Sequence, residues 1–345
     1  MRFQHVRIES LAHVLPDQVV SSEELEHQLA PAYGRLGLSV GRLELMTGIR
    51  ERRFWPEGTR PSEASTKAGL LALERSGVPA DRIGMLVHSA VCRDFLEPST
   101  ASVVHAQLGL TSQCMAFDLS NACIGFANAM TMAGALIEAR QIDAALIVTG
   151  EDGGPLVRET IEMLNRGCEN DRRALKRAQA SLTIGSGAAA MVLAHESIAT
   201  SSSELLGGTS RSATQHYALC SGDFAQVGHR PLMETDSDAL LKAGCSLAHE
   251  TFAAFLEEQE LSTESIDRIV THQVSTKHKR ALLEALGLSA EIDFPTVETW
   301  GNVGSMSLPG TLSLAVEEGV VKSGQLVCLQ GIGSGLHSQM LAVRW

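Results

Sequence analysis

The segment Ile83-Gly84-Met85-Leu86-Val87-His88-Ser89-Ala90-Val91 is matched 183 residues later by Ile266-Asp267-Arg268-Ile269-Val270-Thr271-His272-Gln273-Val274. Three further correspondences follow in the same order. Leu108-Gly109-Leu110 recurs as Leu286-Gly287-Leu288 at an offset of 178, Ala145 to Gly150 matches Leu326 to Gly331 at 181, and Ile184-Gly185-Ser186-Gly187 returns unchanged as Ile332-Gly333-Ser334-Gly335 at 148. Ordered self-similarity of this length restricts the chain to a duplicated architecture. The drop to 148 puts an insertion in the first half, and the polar stretch 151–180, with Arg172-Arg173 and Lys176-Arg177, fits it. Two similar halves, about 1–198 and 199–345, are expected to pack around a pseudo-twofold axis, with a reactive site at their junction. Thr200-Ser201-Ser202-Ser203 is too short a run to be a flexible linker between separate domains.

Apolar runs of strand length occur at Ile83 to Val91, Ala144 to Val148, Ala188 to Ala194, Ile266 to Val274 and Leu326 to Gln330. Between them, 62–76, 124–139, 239–256 and 308–320 carry apolar residues at three- and four-residue spacing. Short buried strands alternating with helices predict an α/β protein with largely parallel sheets.

The 345 residues include 28 Lys+Arg against 40 Asp+Glu, a net charge of −12, with 44% hydrophobic residues. That balance excludes a disordered chain, and the acidic excess argues against nucleic-acid binding. No run approaches the roughly 18 to 20 apolar residues of a membrane span. His5, Arg7 and Glu9 interrupt the N-terminal apolar stretch, so a cytoplasmic protein without integral membrane association is expected. The seven cysteines (92, 114, 123, 168, 220, 245 and 328) form no CxxC pair and no zinc spacing, so neither disulfides nor a metal are expected.

Cys123 lies where the polar strand end Phe117-Asp118-Leu119-Ser120 meets an apolar helix beginning near Ile124. The positive end of a helix favours a thiolate, which predicts a lowered pKa and a nucleophile. The other six cysteines read as inert structural thiols. His272 closes the repeated strand of the second half, and Asn302 lies in the Gly-bracketed loop Trp300-Gly301-Asn302-Val303-Gly304. A single histidine or a Gly-Asn-x-Gly loop is more often structural. All three residues, however, fall at strand ends or strand-to-helix turns, where α/β sheets bind ligands. The second Ile-Gly-Ser-Gly, ending at Gly335, offers a backbone donor for an oxyanion; it lacks the lysine and hydroxyl of a phosphate-binding loop.

Asn121-Ala122-Cys123, His272-Gln273, the Gly301-Asn302 loop and Gly331-Ile332-Gly333-Ser334-Gly335 together resemble the thiolase superfamily, in particular its β-ketoacyl synthase III branch. Thr47-Gly48-Ile49-Arg50-Glu51-Arg52-Arg53 resembles the N-terminal motif of that branch. The resemblance covers nearly the whole chain and implies a five-layered αβαβα fold from two duplicated halves, paired as a homodimer. Arg93-Asp94-Phe95-Leu96-Glu97-Pro98-Ser99-Thr100-Ala101-Ser102 is similar to a subgroup, the acyl-CoA condensing enzymes of bacterial olefin biosynthesis. Those enzymes join two fatty acyl-CoA molecules head to head into a 2-alkyl-3-ketoacid and place a glutamate, matched by Glu97, in the partner subunit's site. Where the branch has a tryptophan and an arginine at coenzyme A, this chain has Arg42 and Met46.

The implied chemistry uses Cys123 as acyl carrier, the amides of Cys123 and Gly335 as oxyanion donors, His272 and Asn302 to polarise a second thioester, and Glu97 to remove its α-proton. No cofactor beyond coenzyme A thioesters is implied. Decarboxylative synthase III-type elongation with malonyl-acyl carrier protein is the alternative. A Cys-His-Asn thiol hydrolase and a non-catalytic binding protein of the same fold stand behind it.

Overall fold

The computed structural model describes residues 1–167, 172–224 and 231–345. Nine strands form one twisted sheet: β1 (Val6–Val14), β2 (Ile83–His88), β3 (Met115–Asp118), β4 (Ala144–Glu151), β5 (Gly187–His195), β6 (Glu204–Ser212), β7 (Arg268–Thr271), β8 (Leu326–Gly333) and β9 (His337–Arg344). Their order is β7-β8-β9-β6-β1-β5-β4-β2-β3. The order β2-β4-β5-β1 in the first half is answered by β7-β8-β9-β6 in the second, so the repeated sequence segments occupy equivalent strands. The halves meet where β1 pairs with β6 at Arg7 and Glu204. Flanking amide-to-carbonyl bonds run from Phe3 to Leu206 (2.8 Å) and from Ile8 to Ser203 (2.9 Å).

The sheet is mixed, a correction to the largely parallel arrangement expected. Only β2/β3, β2/β4 and β7/β8 are parallel among these nine strands. Parallel neighbours need a crossover of a dozen or more residues. β8 instead turns straight back into β9, and the two must run antiparallel. At the equivalent place in the first half, α4 (Gly154–Arg166) and α5 (Arg172–Ala178) stand between β4 and β5, with residues 168–171, Cys168 included, outside the described residues.

The remaining principal helices are α1 (Pro61–Ser76), α2 (Thr100–Leu108), α3 (Gly125–Glu138), α6 (Ser237–Gln259), α7 (Thr276–Leu286) and α8 (Ser307–Glu317). α3 carries no charge before Glu138, and α8 none before Glu317. A helix apolar on every face has to be buried. Phe126, Met130 and Ile137 of α3 and Leu308 and Leu312 of α8 accordingly share one core with Ala145 and Ile147 of β4 and Val327 and Leu329 of β8. The alternate residues of the same strands face outward. Leu146 and Val148 pack under Ala64, Ala68 and Ala72 of α1, while Leu326 and Cys328 pack under Phe252 and Phe255 of α6. Helices, strands, central helices, strands and helices thus make the five layers αβαβα. No described helix is long and apolar enough to cross a membrane.

Phe126 is 1% exposed at the start of α3. Phe126→Ala should destabilise the protein by about 3–5 kcal/mol, read as a lowered urea midpoint at unchanged slope; a loss under about 1 kcal/mol would mean that the central layer re-collapses around the void.

Candidate active site

Asn121-Ala122-Cys123 links β3 to α3. Ile124 N–H donates to the Asn121 carbonyl (3.2 Å), closing a turn in which Ala122 takes a φ of 46°. A residue with a Cβ pays about 1–2 kcal/mol in that left-handed conformation. The surroundings hold it there: Ser305 Oγ donates to the Ala122 carbonyl at 2.7 Å. From the other side, the end of β8 presses on the turn. A Cβ on Gly331 would lie 2.8 Å from Ile124 Cγ2 and force it to shift, and one on Gly333 would crowd the Asn121 carbonyl oxygen at 3.3 Å. Gly335 follows in the turn to β9.

Cys123 remains partly exposed as a residue, yet its thiol is pushed up to about 12 by burial first, then by the Glu151 carboxylate and Cys220. The lowered pKa expected from the helix end is therefore not what the structure gives. A low-dielectric setting and a neighbouring negative charge both disfavour the thiolate, and they outweigh the dipole.

Asn302 is clamped by the first Ile-Gly-Ser-Gly segment. Its N–H donates to the Thr183 carbonyl (2.9 Å) and its carbonyl accepts from Gly185 N–H (2.9 Å). A Cβ on Gly185 would fall 2.1 Å from the Trp300 carbonyl oxygen. Asn302 Oδ1 accepts from Gly304 N–H (3.1 Å), which fixes the side-chain plane; the Nδ2 amide has no partner among the described residues. Below the loop lies fully buried Arg52 of the Thr-Gly-Ile-Arg-Glu-Arg motif, donating to Ser22 Oγ (2.9 Å) and the Leu182 carbonyl (3.2 Å). Burial lowers its pKa to about 10. That motif supports the asparagine loop.

His272 follows β7, its N–H donating to the Gln330 carbonyl at 2.8 Å. Gln273 beside it donates its N–H to Ser307 Oγ (3.2 Å) and accepts the Thr296 and Val297 amides on Oε1 (both 3.0 Å). The imidazole is buried, with Nδ1 lacking a partner among the described residues. Burial, with His278 nearby, drops its pKa to about 4, so the ring is neutral near pH 7. Residues adjoining all three positions interlock: Gln330 holds His272 and the next residue, Gly331, packs on Ile124, while Ser305 ties the asparagine loop to Ala122.

Glu97 is exposed on the loop between β2 and α2, beside Leu96 (90% exposed) and exposed Val91. No contact in the single chain ties it to Cys123. Arg42 and Met46 lie exposed on the short helix Arg42–Thr47. Glu151, by contrast, was not singled out by the sequence reading, although it is buried beside Cys123. The available signal was a carboxylate ending the apolar run from Ala144, at the strand end where sites of α/β sheets lie. The six described cysteines are free thiols.

A strained cysteine turn seated between two pseudo-symmetric halves is the framework of a thiolase-like condensing enzyme. Family models described as 3-oxoacyl-[acyl-carrier-protein (ACP)] synthase III and its C terminal match residues 117–212 and 256–345. The chain is 37% identical to acyl-CoA:acyl-CoA alkyltransferase of Shewanella oneidensis, over 100% of both chains, and equally to that of Xanthomonas campestris. It is 29% identical to β-ketoacyl-[acyl-carrier-protein] synthase III of a Ruegeria species, over 96% of this chain and 97% of the relative. Xanthomonas campestris OleA with bound lauric acid and lauroyl-CoA superposes with a TM-score of 0.94 at 37% identity, over 99% of this chain and 100% of that one. The chain belongs to the synthase III family of the thiolase superfamily, in the branch of the acyl-CoA:acyl-CoA alkyltransferases.

A thiol held near 12 should be alkylated by iodoacetamide at a rate rising about tenfold per pH unit from about pH 7 to 9, because only the thiolate reacts. A plateau below pH 8 would instead reveal a thiol already ionised.

Proposed function

We propose that the protein joins two fatty acyl-CoA thioesters by non-decarboxylative Claisen condensation through an acyl group on Cys123. Full-length identity of 37% to acyl-CoA:acyl-CoA alkyltransferases carries this reading. The Xanthomonas campestris protein has been solved with a cysteine, a glutamate and a histidine individually replaced, the residue types of Cys123, Glu97 and His272. The substrates are coenzyme A thioesters, and no separate cofactor enters.

Cys123 sulfur attacks the first thioester carbon, the bond to coenzyme A breaks, and coenzyme A leaves as a thiol with the proton that Cys123 releases. Amides of Cys123 and Gly335 steady the oxyanion. Neutral His272 and the Asn302 Nδ2 amide polarise the second thioester, and Glu97 of the partner subunit takes its α-proton. The enolate carbon attacks the acyl-cysteine, forming the carbon–carbon bond and expelling Cys123 sulfur, which regains a proton from Glu97. Hydrolysis of the remaining thioester gives the 2-alkyl-3-ketoacid and coenzyme A. A malonyl donor would need no such base, because loss of carbon dioxide generates the enolate.

Cys123→Ser should abolish the acyl adduct seen by intact-mass measurement, whereas His272→Ala and Asn302→Ala should keep the adduct and lose ketoacid. An adduct surviving on the serine variant would move the acyl site elsewhere. Glu97→Gln should leave acylation near wild type and lower condensation by about 10² to 10⁴-fold. Mixing Cys123→Ser with Glu97→Gln subunits should restore one working site per heterodimer; no recovery from verified heterodimers, or a monomer by sedimentation, defeats action across the interface.

A further inference from the structure

Glu151 closes β4, and its side chain is buried. Burying a carboxylate is costly unless its lone pairs are satisfied, and the donors it has recruited come from two separate loops. Oε1 accepts Val91 N–H and Ser305 N–H, each at 3.0 Å, and Oε2 accepts Cys92 N–H at 3.1 Å. Val91 and Cys92 open the loop that carries Glu97. Ser305 belongs to the turn after Asn302, and its hydroxyl is the group that holds the Ala122 carbonyl. Gly304, with φ of 55°, completes the seat: a Cβ there would stand 2.8 Å from Glu151 Oε1. The Trp55 indole N–H fixes the backbone of Glu151 itself through its carbonyl at 3.0 Å.

We infer that Glu151 is a positioning residue for condensation: one carboxylate sets the spacing between the loop presenting Glu97 and the turn presenting Asn302, and through Ser305 holds the backbone under Cys123. This rests on the reaction proposed above. Glu151 does not touch the reacting atoms through a free oxygen, since both oxygens are engaged by main-chain amides. An apolar side chain of equal size would fill the space but could not bind three amides. An aspartate would keep the charge but, one methylene shorter, could not span from β4 to both loops.

The charge also reaches Cys123, giving a readout that packing alone would not move. The titratable groups facing Cys123 are Glu151 and Cys220; Cys92 faces Glu151, and Asp152 lies beside Cys92. A nearby negative charge disfavours the thiolate, so removing it must increase thiolate at any fixed pH below the thiol pKa.

Glu151→Gln and Glu151→Asp separate anchoring from charge. Both should lower kcat for condensation by about 10- to 100-fold with KM for acyl-CoA within about threefold, because the reacting groups are misplaced while the acyl chains still bind. Iodoacetamide labelling of Cys123 at a fixed pH of about 8 should quicken by roughly 3- to 30-fold in the glutamine variant and stay near wild type in the aspartate variant. Wild-type kcat in either variant overturns the positioning role, and equal labelling in the glutamine variant and wild type overturns the electrostatic influence on Cys123. If the glutamine variant fails to fold, the aspartate variant decides alone: reduced kcat with unchanged KM and labelling supports the role, and full kcat overturns it. If the wild-type protein makes no ketoacid from acyl-CoA, the reaction is wrong; the labelling comparison then still decides whether Glu151 bears on the thiol, and the positioning role in condensation falls.

Discussion

Everything at the site hangs on a reciprocal seating of the two halves. The Gly-rich end of β8, from the second half, presses on the turn that carries Cys123 in the first. The matching Ile184-Gly185 segment of the first half clamps the loop that carries Asn302 in the second. At Gly331 and Gly185 the approach is closer than a Cβ would allow, so each half braces the loop that the other presents. A duplicated chain therefore makes one composite site instead of two equivalent ones. The asymmetry lies in what each loop offers: a thiol at the head of α3, and an amide before α8.

The central layer sets the electrostatics. Because α3 and α8 bring no charge to the middle of the molecule, the groups around their N-terminal ends are weakly solvated. Under those conditions a thiol rises to about 12 and an imidazole falls to about 4, and the uncharged form of each is stable. Moving a thiol from its ordinary 9 to about 12 weighs about 4 kcal/mol against the resting thiolate. In the proposed reaction the proton would leave only as sulfur bonds to carbon, so the thiol would stay unreactive until a thioester is in place. The Glu151 carboxylate adds to this restraint while it anchors the loops around it.

Much of this was legible in the sequence, for identifiable reasons. The duplication showed because equivalent strands are buried on both faces and must repeat apolar runs, as β2 and β7 do. The central helices showed because burial on all sides forbids charge along them. Cys123, His272 and Asn302 could be singled out as candidates because each stands at a strand end or a strand-to-helix turn. Strand direction was not legible: apolar periodicity reports burial and says nothing of whether a neighbour runs parallel, and β8 and β9 are joined by a turn that a crossover-based reading does not anticipate. The thiol shift escaped because a helix end is local in sequence, whereas Glu151 is brought to Cys123 by the fold from 28 positions further along the chain. Arg52 likewise belonged to a recognisable motif, but its task under the asparagine loop depends on Leu182 and Ser22, which no local pattern connects to it.

In the proposed reaction, the carboxylate already beside Cys123 is poorly suited to be the base, since both of its oxygens already accept main-chain amides, from Val91, Cys92 and Ser305. Glu97 is the base proposed instead. It leaves the chain on a loop whose root, Val91 and Cys92, is pinned to Glu151 and whose tip, with Leu96, is exposed in the single subunit. An apolar tip of this kind gains by burial against a second copy, and pairing would bring a base to the partner's thioester. On the proposed mechanism acylation would need only one chain's cysteine turn, while carbon–carbon bond formation would need two chains; pairing would then be what converts an acyl-binding thiol into a condensing enzyme.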